Sequence, residues 1–205
     1  MPKHFILTAG NIGSGKTSLT RRLGKHLGWE TRFESVADNP YLADFYADMR
    51  QWAFHLQIFF LGHRAEQHLA MAQAPHSAIA DRSIYEDAFI FARALHHLDN
   101  LTELDYQSYR RLFDLVVVGL PRPDLLIYLK TPAPVLLERI RQRGRTIENG
   151  LTADYLTLLE GFYAEWLSTF ALCPVLEIDT TQFDFVNDPN HLGQVIEQMQ
   201  TALGR

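Results

Sequence analysis

The chain has 205 residues, of which 47% are hydrophobic and 21% are charged, and its formal net charge is -5 at pH 7. This composition predicts a globular protein with one well-buried core and argues against a nucleic-acid-binding protein, which would present a basic surface. A single cysteine excludes an intrachain disulfide. With no room for a signal peptide and no apolar run long enough to span a bilayer, we expect a cytoplasmic protein without membrane association.

The first predicted element is a strand, a loop and a helix near the N-terminus. Residues 5–9 form a short apolar run, residues 18–27 carry apolar side chains at helical spacing, and residues 10–17 fit the phosphate-loop pattern G-x-x-x-x-G-K-[ST]. Backbone N–H groups of such a loop point at a polyphosphate, so we predict a purine nucleoside triphosphate as ligand. Lys16 would reach the outer phosphates and the Thr17 hydroxyl would bind Mg²⁺. The predicted ATP-binding residues of the loop are Gly10, Asn11, Gly13, Ser14, Gly15, Lys16, Thr17 and Ser18.

Short apolar strands then alternate with helices along the rest of the chain. This order predicts an α/β fold with a five-stranded parallel sheet, helices on both faces and one domain over residues 1–205. Ligands of such sheets bind at the carboxyl ends of the strands. The further strands are predicted at residues 31–34, 77–80, 125–129 and 175–178, and the further helices at about 52–73, 85–97, 104–118, 132–145, 152–172 and 191–203.

Two carboxylates follow predicted strands. The position of Asp81 favours a Mg²⁺ ligand, although it could instead cap the next helix, a role that Ser83 could equally fill. Glu34 ends the second strand, where it could accept the proton of an attacking hydroxyl or be a solvated charge, and its position leaves both open. A general base of this kind typically contributes on the order of 10²–10⁴ in rate.

Four arginines lie within residues 139–145, although the chain is acidic overall. Arg139 and Arg143 are four residues apart and therefore share a helix face. Such cations stabilise a helix C-terminus by about 0.3–1 kcal/mol each, which is one explanation. We favour a mobile lid over about residues 139–151, whose guanidinium groups close over triphosphate oxygens, with Gly144 allowing the bend.

Four further residues could together recognise a nucleobase. Gln57 and Arg64 are seven residues apart on one predicted helix, and Asp87 and Phe91 are four apart on another, so each pair shares a face. Taken singly, each of these residue types is more typical of an exposed or capping position, so the set needs further support.

Together these segments resemble the deoxyribonucleoside kinase family, which includes deoxycytidine, deoxyguanosine and bacterial deoxyadenosine kinases. Two of the matching segments, Asp81-Arg82-Ser83 and the lid sequence Arg143-Gly144-Arg145, are specific for this family at their spacing along the chain. Other small-molecule kinases share only the phosphate loop and a looser lid. The resemblance implies a P-loop kinase fold and a homodimer joined through helices. The matching segments are residues 10–17, Glu34-Ser35-Val36, Tyr46 with Trp52 and Gln57, residues 81–87, and Arg139-x-x-x-Arg143-Gly144-Arg145-x-x-Glu148.

The resemblance also implies an activity and a role for each matching residue. The activity is ATP- and Mg²⁺-dependent transfer of the γ-phosphate to the 5′-hydroxyl of a deoxyribonucleoside. The implied catalytic residues are Glu34 as base, Arg82 beside the hydroxyl and phosphates, and Lys16, Arg143 and Arg145. Thr17 and Asp81 would serve Mg²⁺, and Arg139 with Arg143 would bind ATP from the lid. Tyr46 and Glu148 would hold the sugar 3′-hydroxyl, Gln57, Arg64 and Asp87 would hydrogen-bond the base, and Phe91 would stack on it.

The identity of the nucleobase is narrowed by the same resemblance. Thymidine-preferring relatives tend to lack the arginine–aspartate pair, which here is Arg64 and Asp87, and Asp87 can accept from an exocyclic amino group. We expect deoxyadenosine or deoxyguanosine, with deoxycytidine as a third candidate. Two alternatives stay open, a nucleoside monophosphate kinase and a non-catalytic nucleotide-binding switch module.

Overall fold

The computed structural model describes residues 3–33, 39–145, 148 and 150–204. The chain forms two compact units, the first from the described parts of Met1–Phe33, Ala74–Arg82 and Arg122–Arg205, and the second from those of Glu34–Gln73 and Ser83–Pro121. The strands are β1 (Phe5–Gly10), β2 (Glu30–Arg32), β3 (Ala78–Asp81), β4 (Leu125–Lys130) and β5 (Val175–Asp179). The helices are α1 (Lys16–Leu27), α2 (Leu42–Ala47), α3 (Met49–Gln73), α4 (Ile84–Glu86), α5 (Ala92–His97), α6 (Glu103–Val118), α7 (Ala133–Arg143), α8 (Ala153–Thr169) and α9 (Pro189–Ala202), with a π-helix at Asp87–Phe91 between α4 and α5.

The first unit contains the sheet, in the strand order β2-β3-β1-β4-β5 with every neighbouring pair parallel. Among the described residues this confirms the predicted five-stranded parallel sheet. The central strands β1 and β3 are buried throughout because both of their faces are covered. The edge strand β2 is polar and partly exposed, and it begins at Glu30, one residue before the predicted start.

Helices cover both faces of this sheet, as predicted. Ile127 of β4 belongs to a buried apolar cluster with Leu19 of α1 and Val195 of α9. Side chains alternate between the two faces of a strand, so Tyr128 points to the opposite face. There its ring lies 5.6 Å from the ring of Tyr163 on α8, measured between centroids.

The second unit is helical and is built from α2 to α6. Phe113 of α6 lies at its centre, with its ring edge-to-face with Tyr85 and Phe89, at centroid distances of 6.2 and 5.6 Å. The Arg110 guanidinium lies over the ring of Phe89, 4.4 Å from its centroid. Among the described residues, no helix of either unit is both long and apolar enough to cross a lipid bilayer.

The helix predicted over residues 85–97 differs in kind from the expectation. Its middle part is a π-helix, in which the Ala92 N–H donates to the carbonyl of Asp87, five residues back. Apolar spacing does not distinguish one wide turn from an α-helical turn, so the sequence carried no signal for it. Such segments occur frequently at functional sites.

Candidate active site

The phosphate loop lies where the sequence predicted it, between β1 and α1 of the first unit. Gly13 has a φ of +84°, which glycine adopts without steric cost. A Cβ atom at Gly13 would also lie 3.0 Å from Cγ1 of Ile140 and 3.2 Å from the carbonyl oxygen of Leu136, both on α7. Glycine is therefore required here both by the backbone angle and by the close packing of α7 on the loop.

Lys16 is only 7% exposed, and its ammonium group lies inside the loop. It donates to the carbonyl oxygens of Gly10 and Asn11 at 2.7 and 3.0 Å. These contacts hold one positive charge among the backbone groups of the loop, the arrangement that a polyphosphate requires.

The loop is also tied to α8, which the sequence did not indicate. The Tyr163 hydroxyl donates to the Gly10 carbonyl at 2.8 Å, and the Asn11 side-chain amide donates to the Leu156 carbonyl at 2.9 Å. The first turn of the loop is thus fixed from a helix far along the chain.

Thr17 and Asp81 meet beside the loop, as expected of a shared metal site. The Thr17 hydroxyl donates to Oδ2 of Asp81 at 2.5 Å. Ser83, not Asp81, caps the following helix, and Glu86 completes the capping box. A hydroxyl and a carboxylate are the hard oxygen ligands that Mg²⁺ prefers, and this ion takes few protein ligands because it keeps water and phosphate oxygens. The pair therefore fits Mg²⁺.

Arg82 follows Asp81 in an unusual backbone conformation, with a φ of +77°. Its N–H donates to the Thr8 carbonyl of β1 at 2.9 Å, which anchors the turn to the neighbouring strand. A non-glycine residue held in this region costs on the order of 1–3 kcal/mol, and such residues cluster at active sites. This conformation places the backbone turn directly after the end of β3 at Asp81.

The predicted lid arginines have different partners. Arg139 donates to the hydroxyl and the carbonyl of Thr180 at 2.9 Å each. Arg143 pairs with Glu148 through its Nε and one terminal nitrogen, at 3.1 and 2.5 Å, and Arg145 lies 3.8 Å from the same carboxylate. Glu148, for which the resemblance implied a sugar contact, is thus held here by lid arginines.

A cavity of about 750 Å³ extends from the phosphate loop to the segment between β5 and α9. In that segment, the N–H of Asp184 donates to Nδ1 of His191 at 2.9 Å. Hydrogen bonds from the side chain of Asn187, and to a smaller extent from its backbone N–H, lower the pKa of the Asp184 carboxyl. The walls of the cavity include residues 13–18, Arg139, Arg143, Thr180, Phe183, Phe185 and His191.

The second unit contains the residues predicted to recognise a base. Nε of Arg64 on α3 donates to Oδ2 of Asp87 at 3.1 Å, and these side chains are 3% and 5% exposed. Gln57 lies two turns before Arg64 and is equally buried, and among the described residues its side-chain oxygen has no hydrogen-bond partner. Burial, and next the Asp87 charge, raise the pKa of Tyr109 well above its ordinary value. The second unit therefore contains a buried ion pair and a buried amide oxygen on the same helical scaffold.

Phe91 and Tyr46 complete the predicted residues of this unit. Phe91 ends the π-helix that begins at Asp87 and is partly buried. Tyr46 of α2 is 47% exposed, and its ring packs edge-to-face on Phe45 at 5.2 Å. Glu34, the predicted base, lies outside the described residues.

Comparison with known proteins decides the family. The family model of deoxynucleoside kinases matches residues 6–204, which is almost the whole chain. The chain belongs to the deoxynucleoside kinase family. This confirms the resemblance, and it favours the kinase over both alternatives, a nucleoside monophosphate kinase and a non-catalytic switch module.

The individual relatives are named as kinases of particular deoxynucleosides. A deoxyadenosine/deoxycytidine kinase of Bacillus subtilis is 39% identical and is aligned over 99% of this chain and 95% of its own. A deoxyguanosine kinase of Lactobacillus acidophilus is 34% identical, over 97% and 90%. The solved structure of deoxyadenosine kinase from M. mycoides with bound dATP is 27% identical, with a TM-score of 0.82 over 96% of this chain and 99% of its own. The kinase therefore has the P-loop kinase fold predicted for it.

Sequence patterns marked the phosphate loop, the residues Thr17 and Asp81 that are hydrogen-bonded to each other, and the residues Arg64 and Asp87 that form an ion pair. They missed the contribution of α8, because Tyr163 lies in no motif and acts on a residue 153 positions away. They also missed Thr180 and His191, which border the cavity although no pattern marks them.

Proposed function

We propose that this kinase transfers the γ-phosphate of ATP, with Mg²⁺, to the 5′-hydroxyl of deoxyadenosine or deoxyguanosine, giving the 5′-monophosphate for nucleotide salvage. Deoxycytidine is the third candidate acceptor. The observation that carries the proposal is the phosphate loop with Lys16 inside it and the Thr17–Asp81 pair beside it, in a chain of this family.

The donor side is supported by the first unit. The backbone N–H groups of residues 10–18 would hold the phosphates, and Lys16 would contact the outer ones. Thr17 and Asp81 would hold Mg²⁺, which when bound neutralises charge on the phosphate oxygens. Arg82, Arg139, Arg143 and Arg145 would supply further positive charge to the transferring group, because guanidinium groups bind phosphate oxygens in a fixed geometry.

Residues 139–151 serve as the lid in this proposal. Gly144 ends α7 with a φ of +64°, which supports a bend at the predicted place. Arg143 would exchange its contact with Glu148 for phosphate oxygens on ATP binding, which would release the Glu148 carboxylate for the sugar 3′-hydroxyl, together with Tyr46.

The acceptor base would be recognised in the second unit. Carboxylate and amide oxygens of Asp87 and Gln57 accept hydrogen bonds, and Arg64 donates them, so together they suit a base that carries an exocyclic amino group. Phe91 would stack on its face. The names of the Bacillus and Lactobacillus relatives support the same nucleosides. Glu34 would accept the 5′-hydroxyl proton as general base.

We also propose that the kinase is a homodimer, with residues 1–205 as one kinase domain in the cytoplasm. One side of α6 presents Leu104, Leu115 and Val118 to solvent, with exposed fractions of 74%, 74% and 86%. Exposed apolar residues in a row along a helix are typical of an interface. Sedimentation equilibrium should give twice the chain mass for the wild type and the single mass for Leu115→Glu, and a monomeric wild type would reject the dimer.

The test of the activity uses purified protein, ATP, Mg²⁺ and each of the four deoxynucleosides in competition. We expect phosphate transfer to deoxyadenosine or deoxyguanosine before thymidine. Glu34→Gln should reduce turnover by on the order of 10²–10⁴ while the melting temperature stays unchanged. Transfer to AMP or dAMP instead of nucleosides would favour the monophosphate kinase, and ATP binding without transfer to any acceptor would favour the switch module.

A further inference from the structure

The two carbonyl groups that accept hydrogen bonds from Lys16 must leave its ammonium group able to bind a further partner. The ammonium group donates to Gly10 and Asn11, and all three residues are buried. In the proposed function Lys16 also donates to the outer phosphates of ATP. The ammonium group has three protons, so one of them can face ATP while two face the loop, but turning that proton toward ATP moves the ammonium relative to the carbonyls. A buried carbonyl whose donor moves away is destabilised unless another donor remains.

Each of these carbonyls has a second donor. The Ser14 N–H donates to the Asn11 carbonyl at 3.1 Å, and the Tyr163 hydroxyl donates to the Gly10 carbonyl at 2.8 Å. A carbonyl oxygen has two lone pairs and accepts two hydrogen bonds at once. The first of these donors is part of the loop itself, whereas the second is a side chain supplied by α8.

Tyr163 is well placed to keep this contact. Its side chain is 0% exposed, and its ring packs between Tyr128 at 5.6 Å and Trp166 at 6.2 Å. The Asn11 side chain donates to the Leu156 carbonyl two turns earlier on α8, so helix and loop are joined at two points. The burial and the ring contacts of Tyr163 thus hold its hydroxyl against the Gly10 carbonyl.

We propose that Tyr163 is a positioning residue for the phosphate-binding lysine. It keeps the Gly10 carbonyl hydrogen-bonded while the Lys16 ammonium turns a proton toward ATP. Without the hydroxyl, the carbonyl would hold Lys16 more tightly and ATP would have to compete with the loop for the ammonium group. This inference rests on the proposed ATP-binding role of the loop, and Tyr163 itself does not touch the nucleotide.

The test is calorimetric titration of ATP into the whole protein without nucleoside, for wild type and Tyr163→Phe. We expect about 3- to 10-fold weaker ATP binding in the variant. The KM for ATP should rise by a similar factor while the KM for deoxynucleoside changes by less than about twofold. Tyr128→Phe is the matched control, because it removes a hydroxyl from the neighbouring ring, and its ATP affinity should stay within about twofold of wild type.

Repeating the titration in protein that carries Lys16→Met distinguishes positioning of Lys16 from a general structural effect of the Tyr163 substitution. In Lys16→Met protein, adding Tyr163→Phe should weaken ATP binding by less than about twofold, because the group on which Tyr163 acts is gone. An equal loss in both backgrounds, an unchanged affinity in the single variant, or a variant that melts far below wild type would each overturn the inference. Wild-type protein that bound no ATP would overturn the donor assignment as well.

Discussion

The Arg64–Asp87 ion pair makes a quantitative prediction about stability. Nε of Arg64 and Oδ2 of Asp87 are 3.1 Å apart, and the side chains are 3% and 5% exposed, so water screens the pair very little. Asp87→Asn keeps the shape of the side chain but removes the charge that faces the buried guanidinium. Removing one partner of a buried ion pair typically costs about 3–5 kcal/mol. For a chain of this size, that corresponds to a fall in melting temperature of about 6–20 °C.

The assay is urea unfolding of four proteins, namely wild type, Asp87→Asn, Arg64→Met and the double variant. Because the second substitution removes the charge left behind by the first, the double variant should be more stable than the sum of the single losses predicts, by about 1–3 kcal/mol. If the unfolding free energies of the four proteins depend equally steeply on urea concentration, their unfolded states are comparable and the free energies can be compared directly.

The same variants should lose base recognition. A hydrogen bond to a charged group contributes about 1.5–3 kcal/mol, so kcat/KM for deoxyadenosine should fall about 10- to 150-fold in Asp87→Asn. Deoxyinosine lacks the exocyclic amino group, and its smaller loss provides the control. If each single variant lost less than about 1 kcal/mol of unfolding free energy and the two losses were strictly additive, the ion pair would not be desolvated and the reasoning would be refuted.

Three further outcomes are expected. Asp81→Asn should lower turnover on the order of 10²-fold and raise the Mg²⁺ concentration needed for half-maximal rate, with melting nearly unchanged, whereas an unaltered Mg²⁺ requirement would contradict the metal role. Arg82→Gly should lower kcat on the order of 10²-fold yet leave the melting temperature equal or higher, because glycine adopts a φ of +77° without strain; a marked drop in melting temperature would contradict that reasoning. Burial, and next the Asp124 charge, raise the pKa of the Cys173 thiol to about 12, so the thiol is neutral at pH 8. Iodoacetamide should therefore label native protein much more slowly than urea-unfolded protein, with activity retained, and equally fast labelling would disprove this.

Much of the kinase follows from local sequence patterns. The strand, glycine loop and helix around residues 10–17 are encoded within about twenty neighbouring positions, because glycine placement and apolar spacing act over one or two turns. The alternation of buried strands with helices likewise indicates a parallel sheet. The pattern also marked Arg64 and Asp87 as candidates, although only the fold shows that they form an ion pair.

Contacts between distant positions were decided by tertiary structure alone. Periodicity specifies which face of a helix is apolar but not which helix it meets, so the strand order β2-β3-β1-β4-β5 could not be read from the sequence. The pairing of Arg143 with Glu148 and the π-helix at Asp87–Phe91 depend on backbone geometry that residue spacing does not encode. Tyr163 reaches Gly10 only because α8 packs beside the loop, since a side chain 153 residues away becomes a hydrogen-bond donor only once the sheet and its covering helices have formed.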